Sequence, residues 1–248
     1  MKFSPCIVVP VFNHGAGACL LADRLRPLGV PAIFVNDGSH PECSERLRQL
    51  SLCNDWIEII ELDRNRGKGS AVLRGFRAAH AQGFSHAVQI DADNQHDTND
   101  IPGFLSLACQ NPNAVITGQP LFDKSAPTGR KVARYLTHVW VWIETLSFTI
   151  RDSMCGFRVY PLDAVLRLAN RTNIGRRMDF DSDILVRLFW AGLPVLSVPT
   201  VVTYPPDGES HFRMFYDNLL ITRMHVRLVF GMLWRAPVLL ARRAHARL

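Results

Sequence analysis

Four short segments of this chain carry side chains whose types and spacing could do chemistry. In Gln89-Ile90-Asp91-Ala92-Asp93-Asn94-Gln95-His96-Asp97, two carboxylates stand two residues apart, and in an extended segment such side chains point the same way. Hard oxygen donors at that spacing suit Mg²⁺ or Mn²⁺, which leaves its other positions to water and phosphate oxygens, so a diphosphate is the natural partner. The plainer reading is a solvated acidic turn, or a cap for a helix near Ile101. Val35-Asn36-Asp37-Gly38-Ser39 sets a carboxylate in a tight turn, available to a base or ribose or serving the turn alone. Asp63-Arg64-Asn65-Arg66-Gly67-Lys68-Gly69-Ser70 leads into a helix. Its backbone amides, with Arg66 or Lys68, suit a phosphate, and a solvated basic loop is the alternative. Asp179, Asp181 and Asp183 offer a general base for an alcohol nucleophile, or simply acids favoured at the start of a helix.

Two other nucleotide-binding schemes depart on single residues: the nucleoside triphosphatase scheme fails, and the dinucleotide scheme, with Asp37 near the right distance downstream, stays as a rival. A phosphate-binding loop of the nucleoside triphosphatase type needs glycine at 62 and Ser or Thr after the lysine, where Leu62 and Gly69 stand. Gly15-Ala16-Gly17 opens a dinucleotide fingerprint, but Leu20 replaces its third glycine.

The elements that must position these residues alternate. Cys6–Phe12, Ala32–Asn36, Trp56–Leu62, Ala87–Asp91 and Ala114–Thr117 read as strands. Between them, Ala18–Arg26, Ser44–Leu52, Ser70–Gln82 and Asp100–Gln110 read as helices. The expectation is an α/β fold, a mostly parallel sheet with helices on both faces. Chemistry then belongs just beyond the carboxyl ends of the strands. The second half is less regular: Thr128–Thr149 and Asp179–Trp190 read as helices, Gly156–Tyr160 and Pro194–Tyr204 as strands, with Pro199 awkward in the last.

Taken in order, Val8 to Asn13 (VVPVFN), Val35 to Ser39 (VNDGS), Asn65 to Phe76 (NRGKGSAVLRGF) and Gln89 to Asp97 (QIDADNQHD) resemble family-2 glycosyltransferases of the Rossmann-like GT-A fold. The nearest subgroup is the dolichyl-phosphate mannose synthase-like and polyprenyl-phosphate enzymes. The resemblance implies inverting transfer from a nucleotide diphosphate sugar to a polyprenyl-phosphate or other lipid-linked acceptor. It places Pro10, Phe12, His14, Asp37, Lys68, Asp91, Ala92 and Asp93 at the nucleotide sugar, and Asp91, Asp93 and Gln95 at a Mg²⁺ or Mn²⁺ ion. The second half resembles the family in Ser153 to Pro161, Met178 to Gly192 and Tyr204 to Arg213, which puts Arg158, Ser210 and Arg213 at the acceptor phosphate. Where many such enzymes have an arginine after the fifth strand, this chain has Gly118-Gln119-Pro120, so Arg130 or Arg134 is expected to substitute. Asp183 holds the family's usual acidic position, with Asp181 as second choice for the base. A phosphate acceptor is already largely anionic, its second pKa being about 6, and needs no base. The alternatives are transfer to a lipid hydroxyl, as in aryl-polyene-type lipid pathways, and a catalytically silent member that binds membrane or partners.

Composition bounds the rest. With 248 residues, 48% of them hydrophobic, the chain can build a substantial core. Six cysteines without a C-x-x-C pair fit reduced thiols rather than disulfides or zinc. No leader is recognisable in Met1–Phe12 and proline breaks the longest uncharged stretch, so a cytoplasmic protein without a membrane span is expected. The net charge of +6 lies entirely in residues 211 to 248, which hold seven Arg and one Asp. A domain over 1–211 and a basic, amphipathic helical tail over 212–248 follow, the tail resting on anionic lipid at the cytoplasmic face of the inner membrane. A nucleic-acid partner is not expected, because no recognised binding module accompanies the basic segment.

Overall fold

The computed structural model describes residues 2–122, 128–203 and 213–245, with side chains for 2–121, 134–203 and 213–244. Seven strands, β1 (Pro5–Val11), β2 (Ala32–Asn36), β3 (Ile57–Glu61), β4 (His86–Gln89), β5 (Val115–Phe122), β6 (Arg158–Pro161) and β7 (Val195–Val202), form one sheet ordered β3-β2-β1-β4-β6-β5-β7. Every pairing is parallel except those of β6, which runs against both β4 and β5. Alternation along each strand sends side chains to two cores. In β1, Cys6 and Val8 face one and Ile7, Val9 and Val11 the other.

Helices α1 (Gly15–Leu25), α2 (Pro41–Leu52) and α4 (Ile101–Gln110) cover one face. On the other lie α3 (Lys68–Ala81), α5 (Thr128–Thr145), α6 (Leu162–Arg171), α7 (Phe180–Trp190) and α8 (Met214–His245). This is the anticipated α/β architecture, with α6 as the helix not foreseen. Pro199 is accommodated because β7 is an edge strand, where a missing amide disrupts little.

The tail departs most from expectation. Helix α8 runs on through Pro237, and Met224, Leu228, Met232 and Leu239 enter the core shared with α5 and α7. It is docked on the domain along its length. By length and composition Met214–Ala244 is also apolar enough to cross a membrane, contrary to the expectation that no segment would be.

Candidate active site

The loops after β1, β2 and β4 converge at the carboxyl edge of the sheet. Asn13, at φ +58°, accepts from the His40 amide and donates its own amide to Ser39 Oγ, tying the first loop to the second. Pro10, Phe12 and His14 lie half-buried along this first loop and strand end. Asp37 is buried, and its carboxylate accepts from the amides of Arg66 (2.7 Å) and Gly67 (2.8 Å). Gly67 precedes α3 at φ +96°, a conformation that disfavours a side chain. The amides that the sequence offers to a phosphate are thus taken by the protein's own anion. Burial pushes the Asp37 carboxyl upward, against the pull of those two amides.

Lys68 also differs from expectation. Its ammonium lies 2.8 Å from Asp91 Oδ2 and 2.8 Å from Asp181 Oδ2, bridging the end of β4 to the first turn of α7. Burial works against that charge, but the two carboxylates outweigh it and hold the Lys68 pKa up. Gln89 Nε2 donates to Asp181 Oδ1 at 2.8 Å. Burial alone would raise the Asp181 pKa, but Lys68 and Arg158 bring it below its usual value. Gly156 roofs the bridge: a Cβ there would come within 2.7 Å of both Asp91 Oδ2 and Lys68 Nζ. The α3 lysine, the β4 carboxylate and the α7 carboxylate therefore meet beneath a position open only to glycine.

The other half of the acidic pair lacks a cation. Asp91 Oδ1 is buried without a hydrogen-bond partner. Desolvation, then the neighbouring Asp91 charge, lifts the Asp93 pKa to about 6, opposed by a 3.1 Å hydrogen bond from the Gln95 amide. Among the described residues no group of three His, Cys, Asp or Glu could hold a metal ion. An ion here would rest on Asp91, Asp93 and the Gln95 carboxamide, with water and ligand oxygens completing the shell. That oxygen-rich set and the orphaned Asp91 Oδ1 fit Mg²⁺ or Mn²⁺. Ala92, between the carboxylates, is buried, and its carbonyl oxygen would stand 2.5 Å from a Cβ at Gly17.

Several expected residues lie elsewhere. Asp183 is fully buried and accepts from the Gly175 amide (2.7 Å), Arg187 Nε (2.6 Å) and Arg227 Nη2 (2.5 Å), so it ties α7 to α8. Two residues along a helix turn a side chain away by more than a quarter-turn, which is why Asp181 reaches Lys68 and Asp183 does not. Arg158, expected at an acceptor phosphate, is fully buried: its guanidinium donates to Thr117 Oγ1, Tyr160 Oη and the carbonyls of Asp181 and Ser153. Arg134 grips Asp152 through two hydrogen bonds of 2.5 and 2.7 Å, and Asp152 in turn accepts from the amides of Met154 and Cys155. Arg213 is exposed at the start of α8, its amide donating to Asp217. Ser210 and the Arg130 side chain lie outside the described residues.

Sequence reasoning missed Gln89 and Gly156, and it did not single out Arg151. Gln89 precedes Asp91 by two residues, so the period of a strand was a usable signal. For Arg151 there was none: it is exposed and approaches Gln119 Oε1 at 3.5 Å across 32 positions of sequence.

Residues 6–171 match the model of Glycosyl transferase family 2. The chain belongs to that family. It is 23% identical to the undecaprenyl-phosphate mannosyltransferase of Micrococcus luteus over 209 residues, 82% of this chain and 85% of that one. With the polyprenol monophosphomannose synthase of Mycolicibacterium smegmatis it shares 23% identity over 220 residues, 82% of this chain and 79% of the relative. It spans about half the length of several other relatives. Among solved structures, glucosyl-3-phosphoglycerate synthase from Mycobacterium tuberculosis in complex with Mn²⁺, uridine-diphosphate-glucose and phosphoglyceric acid superposes with a TM-score of 0.66 at 14% identity, covering 94% of this chain and 80% of that one. That likeness is one of fold, and the fold is GT-A.

Proposed function

We propose that the protein moves a sugar, with inversion, from a nucleotide diphosphate sugar to the phosphate of a polyprenyl-phosphate acceptor. The observation that carries this reading is the contrast in charge balance at the site. Asp91 Oδ1 and Asp93 are short of a cation, whereas Asp181 and Asp183 are each matched by protein cations. A carboxylate held ionised by a lysine is a poor base for an alcohol, since a useful base has a pKa near the working pH. A phosphate monoester needs none, because it arrives largely deprotonated. The relatives whose names specify undecaprenyl-phosphate and polyprenol substrates support the acceptor class. The neighbour that holds Mn²⁺ beside a nucleotide sugar supports the donor and a divalent ion, Mn²⁺ or Mg²⁺.

The roles in this reading are as follows. Asp37 fixes the Arg66–Gly67 turn, and with Pro10, Phe12 and His14 it borders the nucleotide pocket. Asp91, Asp93 and Gln95 hold the ion, which when bound stabilises charge on the departing diphosphate. Arg151, exposed beside Gln119, supplies the cation that Gly118-Gln119-Pro120 lacks, and Arg213 is the further acceptor-side cation in this reading.

The acceptor's lipid fits a surface built by two helices. On α8, Leu219, Val226, Phe230 and Leu233 form an exposed stripe opposite the docked face, flanked by Phe215 (92% exposed) and Trp234 (89%). On α5, Leu136, Trp140 and Ile143 are exposed, and the Trp140 ring packs against that of the buried His225 of α8 at 6.1 Å. A helix docked along its length lies flat on a bilayer rather than through it. Peripheral attachment to the cytoplasmic face of the inner membrane is therefore the localisation we favour.

The deciding experiment is transfer of labelled sugar from a panel of nucleotide sugars, with Mn²⁺, to a polyprenyl phosphate and to the corresponding free alcohol. Transfer to the phosphate alone is expected, with Arg151→Ala raising its KM several-fold through loss of a charge-assisted contact. Transfer to the alcohol alone overturns the phosphate assignment. Neither transfer nor hydrolysis with any donor would identify a silent member.

A further inference from the structure

Lys68 is held between two carboxylates at the mouth of the site. Its ammonium takes one oxygen of Asp91 and one of Asp181 at 2.8 Å each, while the other Asp91 oxygen is buried and unpartnered. Gln89 secures the second oxygen of Asp181, and Arg158 pins the Asp181 backbone carbonyl at 2.6 Å. The Gly156 backbone lies close over the bridge, where any side chain would clash with both partners.

An ion on Asp91 Oδ1 would share that carboxylate with the ammonium. Metal–oxygen bonds of roughly 2 Å and the span of one carboxylate put the two cations about 4–7 Å apart. At that distance, partly shielded from water, their repulsion is substantial. The donor's diphosphate brings the negative charge that offsets it.

We propose that Lys68 is a positioning residue that makes metal binding conditional on the nucleotide: it neutralises Asp91 until a diphosphate arrives, and it aims the free Asp91 oxygen at the incoming ion. The inference rests on the reading of Asp91 and Asp93 as the metal site. It goes beyond that reading by assigning the order in which the site fills, nucleotide with or before metal. Metal and nucleotide then bind with reciprocal coupling, each strengthening the other.

The test is Mn²⁺ binding by calorimetry and by the paramagnetic spectrum of the ion, on the full chain, with Mn²⁺ alone and with Mn²⁺ plus UDP or plus GDP. Wild-type protein should bind Mn²⁺ weakly alone and much more tightly with one of the nucleotides. Lys68→Met should bind Mn²⁺ alone at least about tenfold more tightly than wild type, the size of effect a charge this close exerts, and should lose most of the nucleotide's enhancement. Lys68→Arg should behave as wild type. Lys68→Gln, closer in shape, serves if Met impairs folding as judged by circular dichroism. Asp181→Asn should act oppositely, since all of the Lys68 charge then falls on Asp91, and weaken Mn²⁺ binding further. A purely structural lysine would give weaker metal binding on removal, so a folded neutral variant with unchanged or weaker donor-free affinity overturns the proposal while leaving the metal site intact. No Mn²⁺ binding by wild type, with or without nucleotide, overturns both.

Discussion

Two pairs of aspartates, each separated by one residue, border this site and have opposite characters. Asp91 and Asp93 leave β4 for a loop, where one oxygen goes unpartnered and the Asp93 carboxyl is lifted to about 6 by desolvation and by its neighbour. Asp181 and Asp183 begin α7, where Lys68, Arg187 and Arg227 answer their charges. Lys68 bridges Asp91 as well as Asp181, so the first pair has one shared cation for two charges while the second has that lysine and two arginines. The pair with fewer protein cations is the candidate place for a ligand. The motif D-x-D has the same spelling in both places, and only the surroundings separate them.

The largest effects should come from the unmatched pair. Asp91→Asn or Asp93→Asn should lower kcat/KM by at least about a hundredfold, as loss of a charged group opposite developing charge does. Folding should survive. Because the Asp93 carboxyl is raised in the folded state, its charge costs stability near neutral pH, so Asp93→Asn should melt no earlier than wild type. Donor affinity unchanged in both variants, measured with Mn²⁺, would sink the metal assignment.

The matched pair should respond through stability. Asp183→Asn leaves Arg187, a largely buried side chain, without its partner, and breaking a buried ion pair costs about 3–5 kcal/mol. A clear drop in Tm is expected, without selective loss of donor-free or nucleotide-assisted Mn²⁺ affinity in the protein that remains folded. If instead stability held and catalysis collapsed by two to four orders of magnitude, the range for losing a general base, Asp183 would be the base after all.

The same contrast explains what the sequence made legible. Residues that sit at strand ends by virtue of local pattern were found where expected: β1 to β4 follow from short apolar runs, and their loops follow the strands. Asp37, Asp91 and Asp93 converge for that reason alone. Roles set by partners distant in sequence were not legible. Lys68 meets Asp181 across 113 positions, and no local rule says whether a lysine at a helix start faces a phosphate or a carboxylate. Arg158 looks like a phosphate ligand in sequence, yet β6 runs antiparallel between β4 and β5, which draws its side chain inward to span Thr117, Tyr160 and the carbonyls of Ser153 and Asp181. The arginine excess of the tail was visible, but not its direction.

That direction supplies the smallest effect. If the tail bound lipid through its basic row, each arginine near the surface would contribute about 1 kcal/mol, and salt would release the protein. In the folded chain, however, Arg227 pairs with Asp183, Arg235 covers the Trp190 ring at 4.7 Å, Arg242 donates to the Trp190 carbonyl and Arg243 to that of Leu146. These contacts tie four of the tail's exposed cations to the protein, which leaves them less free to meet a lipid surface, and salt screens such charges within about 8 Å at physiological ionic strength. Apolar insertion then dominates, at about 1.5–3 kcal/mol for each large side chain fully buried. Replacing Phe230 and Trp234 together by serine should weaken binding to anionic vesicles at least about tenfold on that scale. Raising salt to about 1 M, where the screening length falls to about 3 Å, should change it much less. Circular dichroism should be unchanged, because both side chains are exposed. Vesicle binding that survives the double substitution but vanishes with salt would return the helix to the electrostatic role its composition suggests.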